Sequence, residues 1–185
     1  RPTYVSNSAN GYPTIDFDGI NDELQVAYNA AFDLTQWHIF IVPMVDVAKN
    51  YNAWLVKGID NYENYELLSF SDNNIHTPVR WSNNTRTSPS SAASQASSTV
   101  NIIEYSFSSA VGRDVYKNNA NIITDNEATT PSVNPNPLYI GNEQGTTGRY
   151  IDGDLAEVII FNAPLNSAQR IIVNNYLSAK YNCTL

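Results

Sequence analysis

The stretch Tyr150–Asn162, with the sequence YIDGDLAEVIIFN, has the composition of a long β-strand. Alternate side chains point to opposite faces of a strand. One face would therefore carry Leu155, Glu157, Ile159 and Phe161, and the other Ala156, Val158 and Ile160. Both sets are mostly apolar, which is typical of a central strand covered on two sides. We expect Glu157 to be half buried with a bonding partner, because a buried carboxylate without one is costly.

Other short segments share a high content of β-branched and aromatic residues and are separated by Asn, Gly, Pro and Ser. They are Thr14–Asp18, Leu24–Tyr28, Trp37–Val47, Ala53–Ile59, Tyr65–Ser71, Thr77–Trp81, Val100–Phe107, Arg113–Lys117, Asn121–Thr124 and Leu138–Gly141. Many short strands with turn signals between them predict an antiparallel β-sandwich or barrel.

One segment near the end of the chain predicts a helix. Asn166 followed three residues later by Gln169 has the form of a capping box. Apolar residues then recur at spacings of three and four, which predicts a stripe that packs on the sheet edge. The stripe consists of Ile172, Val173, Tyr176, Leu177 and the stem of Lys180. A single helix excludes α/β folds with parallel sheets, which need helices alternating with strands.

Composition excludes several classes of function. The chain has 185 residues, is 42% hydrophobic and carries a net charge of -8. Such a surface repels nucleic acid phosphates and anionic membranes. No apolar run is long enough to span a bilayer, so we expect no membrane insertion. One Cys and two His leave almost no ligands for a zinc enzyme.

The length predicts one domain over residues 1–185. The chain lacks an initiator Met, and we expect it to be a module of a larger protein. The abundance of Asn, Ser, Thr and Tyr over Lys favours a secreted or surface protein.

Two motifs at opposite ends of the chain occur together with a third at its end. The first is IDFDGINDEL at residues 15–24, and the second is LYIG at 138–141 leading into Tyr150–Asn162. The third is YLSAKY at 176–181. In this order they resemble the laminin-G-like, concanavalin A-like lectin/glucanase superfamily, in its bacterial or phage form. The resemblance implies an all-β jelly roll, a sandwich of two antiparallel sheets with one C-terminal helix. It also implies that the first and last motifs pair.

The resemblance further implies a calcium ion, which many relatives hold with oxygen ligands from turns. Two turns that the family fold brings to one side supply Asp18, Asn21, Asp22, Asp152 and Asp154. The alternative is that these Asp side chains only cap their turns.

Sugar-binding sites combine aromatic rings with amide and carboxylate groups on loops. The candidate ligand-binding residues are Tyr51, Asn52, Asn61, Tyr62, Tyr65, Trp81 and Tyr150. The alternative is that these residues form an ordinary hairpin rim, since Tyr also packs over sheets. Trp37 and Trp54 have apolar neighbours and are predicted to lie in the core.

Glycan hydrolysis would need a pair of carboxylates flanking the bound sugar. Asp152 and Asp154 share a face, but they lie where their strand begins, and Glu157 falls on the opposite face. We therefore expect that the chain is not an enzyme. The predicted function is a non-catalytic carbohydrate-binding module of a secreted, cell-surface or virion-surface protein. One alternative is a structural or adhesion domain that contacts protein, as in a phage capsid or tail fibre. The other is a polysaccharide-degrading enzyme.

Overall fold

Two antiparallel sheets pack face to face in the computed structural model, which describes residues 1–47, 51–70, 74–91, 98–145 and 148–185. The first sheet has seven strands, in the spatial order β1 (Thr3–Ala9), β2 (Tyr12–Asp18), β15 (Asp152–Phe161), β4 (Trp37–Val45), β11 (Ile103–Ser108), β12 (Gly112–Lys117) and β13 (Ala120–Asp125). The second has six, in the order β10 (Ser90–Ser91), β7 (Ile75–His76), β6 (Tyr65–Phe70), β5 (Tyr51–Lys57), β14 (Leu138–Ile140) and β3 (Leu24–Val26). The remaining elements are the ribbon β8 (Val79–Arg80) and β9 (Arg86–Thr87), a 3-10 turn (Ala30–Phe32) and helix α1 (Ser167–Tyr181). The predicted fold class is confirmed.

Strand β15 lies inside the seven-stranded sheet, as its apolar faces predicted. It pairs with β2 on one side, where Asp154 opposes Asp16, and with β4 on the other, where Ile160 opposes Ile39. The first and last motifs are therefore neighbours, as the resemblance implied. A buried central strand needs apolar side chains on both faces, and β15 has them.

The predicted faces of β15 are wrong at two residues. A bulge between Leu155 and Glu157 adds one residue to the strand. Leu155 therefore packs in the core with Val158 and Ile160, and Ala156 faces the helix. A bulge reverses the alternation on one side of it, which a strict period of two cannot anticipate.

The main core lies between the two sheets and is built around large aromatic rings. Trp37 and Trp54 are fully buried there, which confirms their prediction as core residues. The Trp37 ring lies 4.9 Å from that of Phe107 and 5.3 Å from that of Tyr105. Burial of these rings supplies a large part of the hydrophobic stabilisation of the fold.

Helix α1 begins at the predicted capping box. The Gln169 amide donates to Asn166 Oδ1 at 3.0 Å, and the Asn166 amide donates to Gln169 Oε1 at 2.9 Å. The helix packs across the outer face of the seven-stranded sheet, where Leu177 and Tyr181 are buried. The predicted edge packing is wrong, and Ile172 is 68% exposed. No helix among the described residues has the length and apolar character needed to cross a membrane.

A buried ion pair explains this orientation of the helix. Glu104 of β11 accepts from Arg170 Nε at 2.7 Å and from Asn174 Nδ2 at 2.5 Å. His38 Nε2 lies 3.2 Å from the same carboxylate. Burial alone would raise the pKa of Glu104, but the bonds from His38, Arg170 and Asn174 outweigh it and lower that pKa. These polar contacts turn Arg170 and Asn174 towards the sheet.

Glu157 is half buried and bonded, as predicted. Its carboxylate accepts from Lys180 Nζ at 3.0 Å and from the Tyr181 hydroxyl at 2.9 Å. These contacts join the central strand to the C-terminal turn of α1.

Gly153 allows β15 to approach β4 closely. Its φ is 135°, and a Cβ there would lie 2.2 Å from the Met44 carbonyl oxygen. We expect Gly153→Ala to lower the free energy of unfolding by at least about 3 kcal/mol, because backbone cannot move away cheaply. Urea denaturation measures the effect.

Gly11→Ala is the matched control. Gly11 has a φ of 82°, but a Cβ there meets no atom within 4 Å. In this control the free energy of unfolding should fall by only about 1–2 kcal/mol, which is the cost of placing alanine in the left-handed conformation. Equal losses in the two variants would contradict the close approach at Gly153.

Candidate functional site

The outer face of the six-stranded sheet carries a charged residue at its centre. Tyr139 of β14 opposes Val56 of β5, which opposes Glu66 of β6, so the three side chains share a face. Val56 and Tyr139 form a small cluster with Ala53, separate from the main core. Glu66 therefore points away from the core between the sheets, yet it is fully buried. Segments from elsewhere in the chain must cover it.

The segment after β14 supplies part of this cover. The Gly141 amide donates to the Trp54 carbonyl at 3.2 Å, and the Ala53 amide donates to the Arg149 carbonyl at 3.4 Å. The chain thus leaves β14, crosses the outer face and returns towards β15. This path brings Glu143 and Arg149 over Glu66.

The second part of the cover is the tight loop at residues 58–64. The Tyr62 amide donates to the Ile59 carbonyl at 2.8 Å, and Asn61 adopts a left-handed φ of 64°. Asn tolerates this conformation better than most residues. The Asp60 amide donates to the Gln144 carbonyl at 2.9 Å, which joins this loop to the first segment.

Between these segments lies a group that we call the carboxylate cluster, formed by Asp60, Glu63, Glu66 and Glu143 with Arg86 and Arg149. Arg86 binds both oxygens of Glu63, with Nη2 at 2.7 Å from Oε1 and Nε at 3.0 Å from Oε2. Arg149 Nη1 lies 3.1 Å from Asp60 Oδ1 and also binds Glu143. Glu63, Glu66 and Glu143 are fully buried. Bidentate and doubly anchored arginines hold fixed orientations.

Glu66 is buried beside other acidic side chains of this cluster. Neither oxygen of Glu66 accepts a bond from an N–H or hydroxyl in the described part of the chain. Burial, then the charges of Glu143 and Glu63, raise the pKa of Glu66 well above its usual range. Burial among neighbouring carboxylates thus disfavours the charged form of Glu66.

The outer surface of the site combines tyrosine rings with guanidinium groups. Arg149 Cζ lies 4.3 Å from the ring centroid of Tyr51. Arg80 Cζ lies 5.2 Å from the ring centroid of Tyr62, which is 58% exposed. Arg80 Nε also donates to the Asn61 carbonyl at 2.7 Å. A ligand on this surface would meet an aromatic ring beside oriented hydrogen-bond donors.

Four of the predicted ligand residues lie around this surface: Tyr51, Asn61, Tyr62 and Tyr150. Asn52 is buried below it and accepts from the Asp152 amide at 3.2 Å. Tyr65 and Trp81 need correction, since both are buried in the main core. The Tyr65 ring packs 5.3 Å from that of Trp37, and the Trp81 ring packs 5.2 Å from that of Phe107. Their aromatic bodies stabilise the sandwich, and we leave both out of the site.

The predicted calcium residues lie together at one end of the β2–β15 ladder. Asp152 opposes Asp18, and Asp154 opposes Asp16. Asp18 Oδ1 accepts from the Ile20 and Asn21 amides at 2.8 and 3.1 Å, and Asp22 Oδ2 accepts from the Asp18 amide at 3.1 Å. Asp18 and Asp22 thus cap their turn.

Three carboxylate side chains lie close together at this end of the ladder, and two of them are outside the predicted set. Asp16, Asp46 and Asp154 each offer an oxygen within 4.8 Å of the others. Burial, then repulsion from Asp154, raises the pKa of both Asp16 and Asp46. Carboxylate oxygens are donors that calcium prefers, so these three residues are candidate ligands at this end of the ladder.

Sequence reasoning missed the buried part of the site, namely Glu63, Glu66, Arg86 and Glu143. One signal was present for Glu66, which stands between Tyr65 and Leu67 in a strand-like segment. A lone charge in such a segment predicts a buried partner, as it did for Glu157. The partners come from distant loops, and nothing in their local sequence marks them.

Ionisation of Glu66 should make stability depend on pH. The folded chain keeps the Glu66 proton to a higher pH than the unfolded chain does, so stability falls as pH rises above about 4.5. Glu66→Gln keeps a neutral group and lacks this titration. We expect the difference in free energy of unfolding between Glu66→Gln and the native protein to shift in favour of the variant by at least about 1 kcal/mol from pH 5 to pH 8. Urea denaturation at both pH values measures this difference.

Glu127→Gln serves as the control. Bonds from Thr129 lower the pKa of Glu127, so it stays ionised over the whole range. The difference in free energy of unfolding between Glu127→Gln and the native protein should therefore be the same at pH 5 and pH 8. A constant gap for Glu66→Gln as well would show that Glu66 is ionised in the folded chain.

No protein-family model matches the sequence, and no curated protein matches it. Solved structures do. The sialidase CBM40 of Ruminococcus gnavus bound to α2,3-sialyllactose has a TM-score of 0.66 and 13% identity, covering 83% of this chain and 96% of that one. The botulinum neurotoxin serotype D binding domain has a TM-score of 0.72 and 12% identity, covering 94% of this chain and 44% of that one.

The SAP-like pentraxin of Limulus polyphemus is a third similar structure. Its TM-score is 0.60 at 13% identity, over 84% of this chain and 78% of that one. At such identities the likeness shows the fold alone. The chain thus has the jelly-roll β-sandwich fold that these three structures share.

Proposed function

We propose that this chain is a non-catalytic module that binds glycans on the outer face of its six-stranded sheet. The observation that carries the proposal is the exposed Tyr62 ring held beside Arg80, with Arg149 anchored nearby by buried carboxylates. Sugars offer hydroxyls to fixed polar groups and C–H faces to aromatic rings. Preorganised groups lose little entropy on binding, which favours affinity. The CBM40 structure bound to sialyllactose supports a glycan as the ligand class.

The geometry of the buried acids supports a binding role over hydrolysis. Retaining glycosidases separate their two carboxyl groups by about 5 Å, and inverting enzymes by more. Glu66 and Glu143 are both fully buried. A sugar bound at the surface could not place its glycosidic bond between them.

We further propose that the chain is extracellular and is part of a larger protein. A second part of the proposal is that Asp16, Asp46 and Asp154 bind a calcium ion. Glycan arrays run with calcium and with EDTA separate the two parts. Binding that persists unchanged in EDTA would remove calcium from the proposal and keep the glycan.

A protein partner is the second candidate. It is favoured by apolar side chains on the solvent side of α1, where Ile171 is 56% exposed and Ile172 is 68% exposed. Exposed apolar patches mark contact surfaces for proteins. This surface lies on the seven-stranded sheet, so a protein contact there would not involve the carboxylate cluster.

Tyr62→Ala tests the glycan site. We expect it to weaken binding to array-positive glycans about fivefold or more, because the exposed ring is lost while the sandwich core is unchanged. Isothermal titration calorimetry measures the affinity.

Tyr4→Ala is the matched control, since Tyr4 is 67% exposed on the edge strand β1 of the other sheet. Its affinity should stay within twofold of the native value. Full affinity in Tyr62→Ala would place binding elsewhere, and an array without any hit would favour the protein partner.

A further inference from the structure

Resting on the proposed function, we infer that the site selects neutral, hydroxyl-rich oligosaccharides over acidic ones. The charge around Tyr62 and Arg149 determines this preference. Recognition of a carboxylated or sulfated sugar needs positive charge that the protein has not already neutralised. The described residues of the site offer none in excess.

Each arginine of the carboxylate cluster already has an acidic partner. Arg86 binds both oxygens of Glu63, and Arg149 binds Asp60 and Glu143. Two guanidinium groups thus face the four carboxyl groups of the cluster.

Arg80 is the third guanidinium at this surface, and two of its three nitrogens already donate to the protein. Nε donates to the Asn61 carbonyl at 2.7 Å, and Nη1 donates to the Asn84 carbonyl at 2.9 Å. With Arg80, three guanidinium groups face four carboxyl groups. Glu23, which accepts from Asn142 Nδ2 at 2.6 Å beside Glu143, adds a fifth carboxyl group. The whole chain carries a charge of -8, which adds repulsion at long range.

The exposed edge of the site, which we call the rim and which is formed by Asp60, Arg80 and Arg149, offers both hydrogen-bond donors and an acceptor to a sugar hydroxyl. Arg149 and Arg80 offer N–H donors, and the partly exposed Asp60 carboxylate is an acceptor. A sugar hydroxyl donates and accepts, so it matches such a rim. A carboxylate or sulfate only accepts, and it would face Asp60 without a proton to share. The rim therefore disfavours acidic sugars even where their rings fit.

A glycan array with matched pairs tests the inference. Each neutral oligosaccharide is printed beside its sialylated or sulfated counterpart, with lactose and α2,3-sialyllactose as one pair. We expect every bound neutral glycan to exceed its acidic counterpart by about fivefold or more, confirmed by calorimetry. Acidic counterparts that bind as tightly or more tightly would overturn the inference and leave the proposed function standing. An array without any bound glycan would overturn both.

Asp60→Asn tests the electrostatic cause. It removes one negative charge from the rim, so the ratio of acidic to neutral affinity should rise about threefold in low salt. Asp114→Asn changes the net charge equally, but Asp114 lies on β12 of the other sheet, so the ratio should stay the same. An unchanged ratio in both variants would overturn the charge argument. Thermal melts of both variants confirm that the folds compared are intact.

Discussion

The antiparallel pairing of β15 with both β2 and β4 is the contact on which the rest of the structure depends. It joins the first and last motifs of the chain inside one sheet. The apolar faces of β15 then contact two layers, the core between the sheets and helix α1. Gly153 permits this approach because a side chain there would meet the backbone of β4. Loss of this strand would expose both layers at once.

Buried charge organises the two outer faces of the sandwich. On the seven-stranded sheet, Glu104 binds Arg170 and sets the rotation of α1. On the six-stranded sheet, Arg149 and Arg86 cover buried acids and hold two loops against each other. A charge taken out of water needs such partners, and their geometry is therefore specific. The same requirement that stabilises the loops also orients the donors of the candidate site.

Local patterns predicted the elements well where one signal dominated. The capping box at Asn166 and the apolar strand β15 are confirmed. The edge strand β1 was missed because its residues are mostly exposed and carry little apolar alternation. The predicted helix face was right at Val173 and Leu177, which pack on the sheet, and wrong at Ile172. Arg170 turns inward there to meet Glu104, a partner 66 residues away. Tyr65 and Trp81 were placed at the site because composition does not distinguish a rim aromatic from a core aromatic.

The sequence by itself determined the fold class, the central strand and the helix, which follow from periodicity and capping, and these are local properties. Its resemblance to a known superfamily implied that the first and last motifs pair. Only the tertiary structure decided the site, because Arg149 and Asp60 are 89 residues apart and Glu143 joins them from the same loop as Arg149. Charges pair through space according to burial and distance. No spacing along the chain encodes which of its acids will be buried beside which arginine.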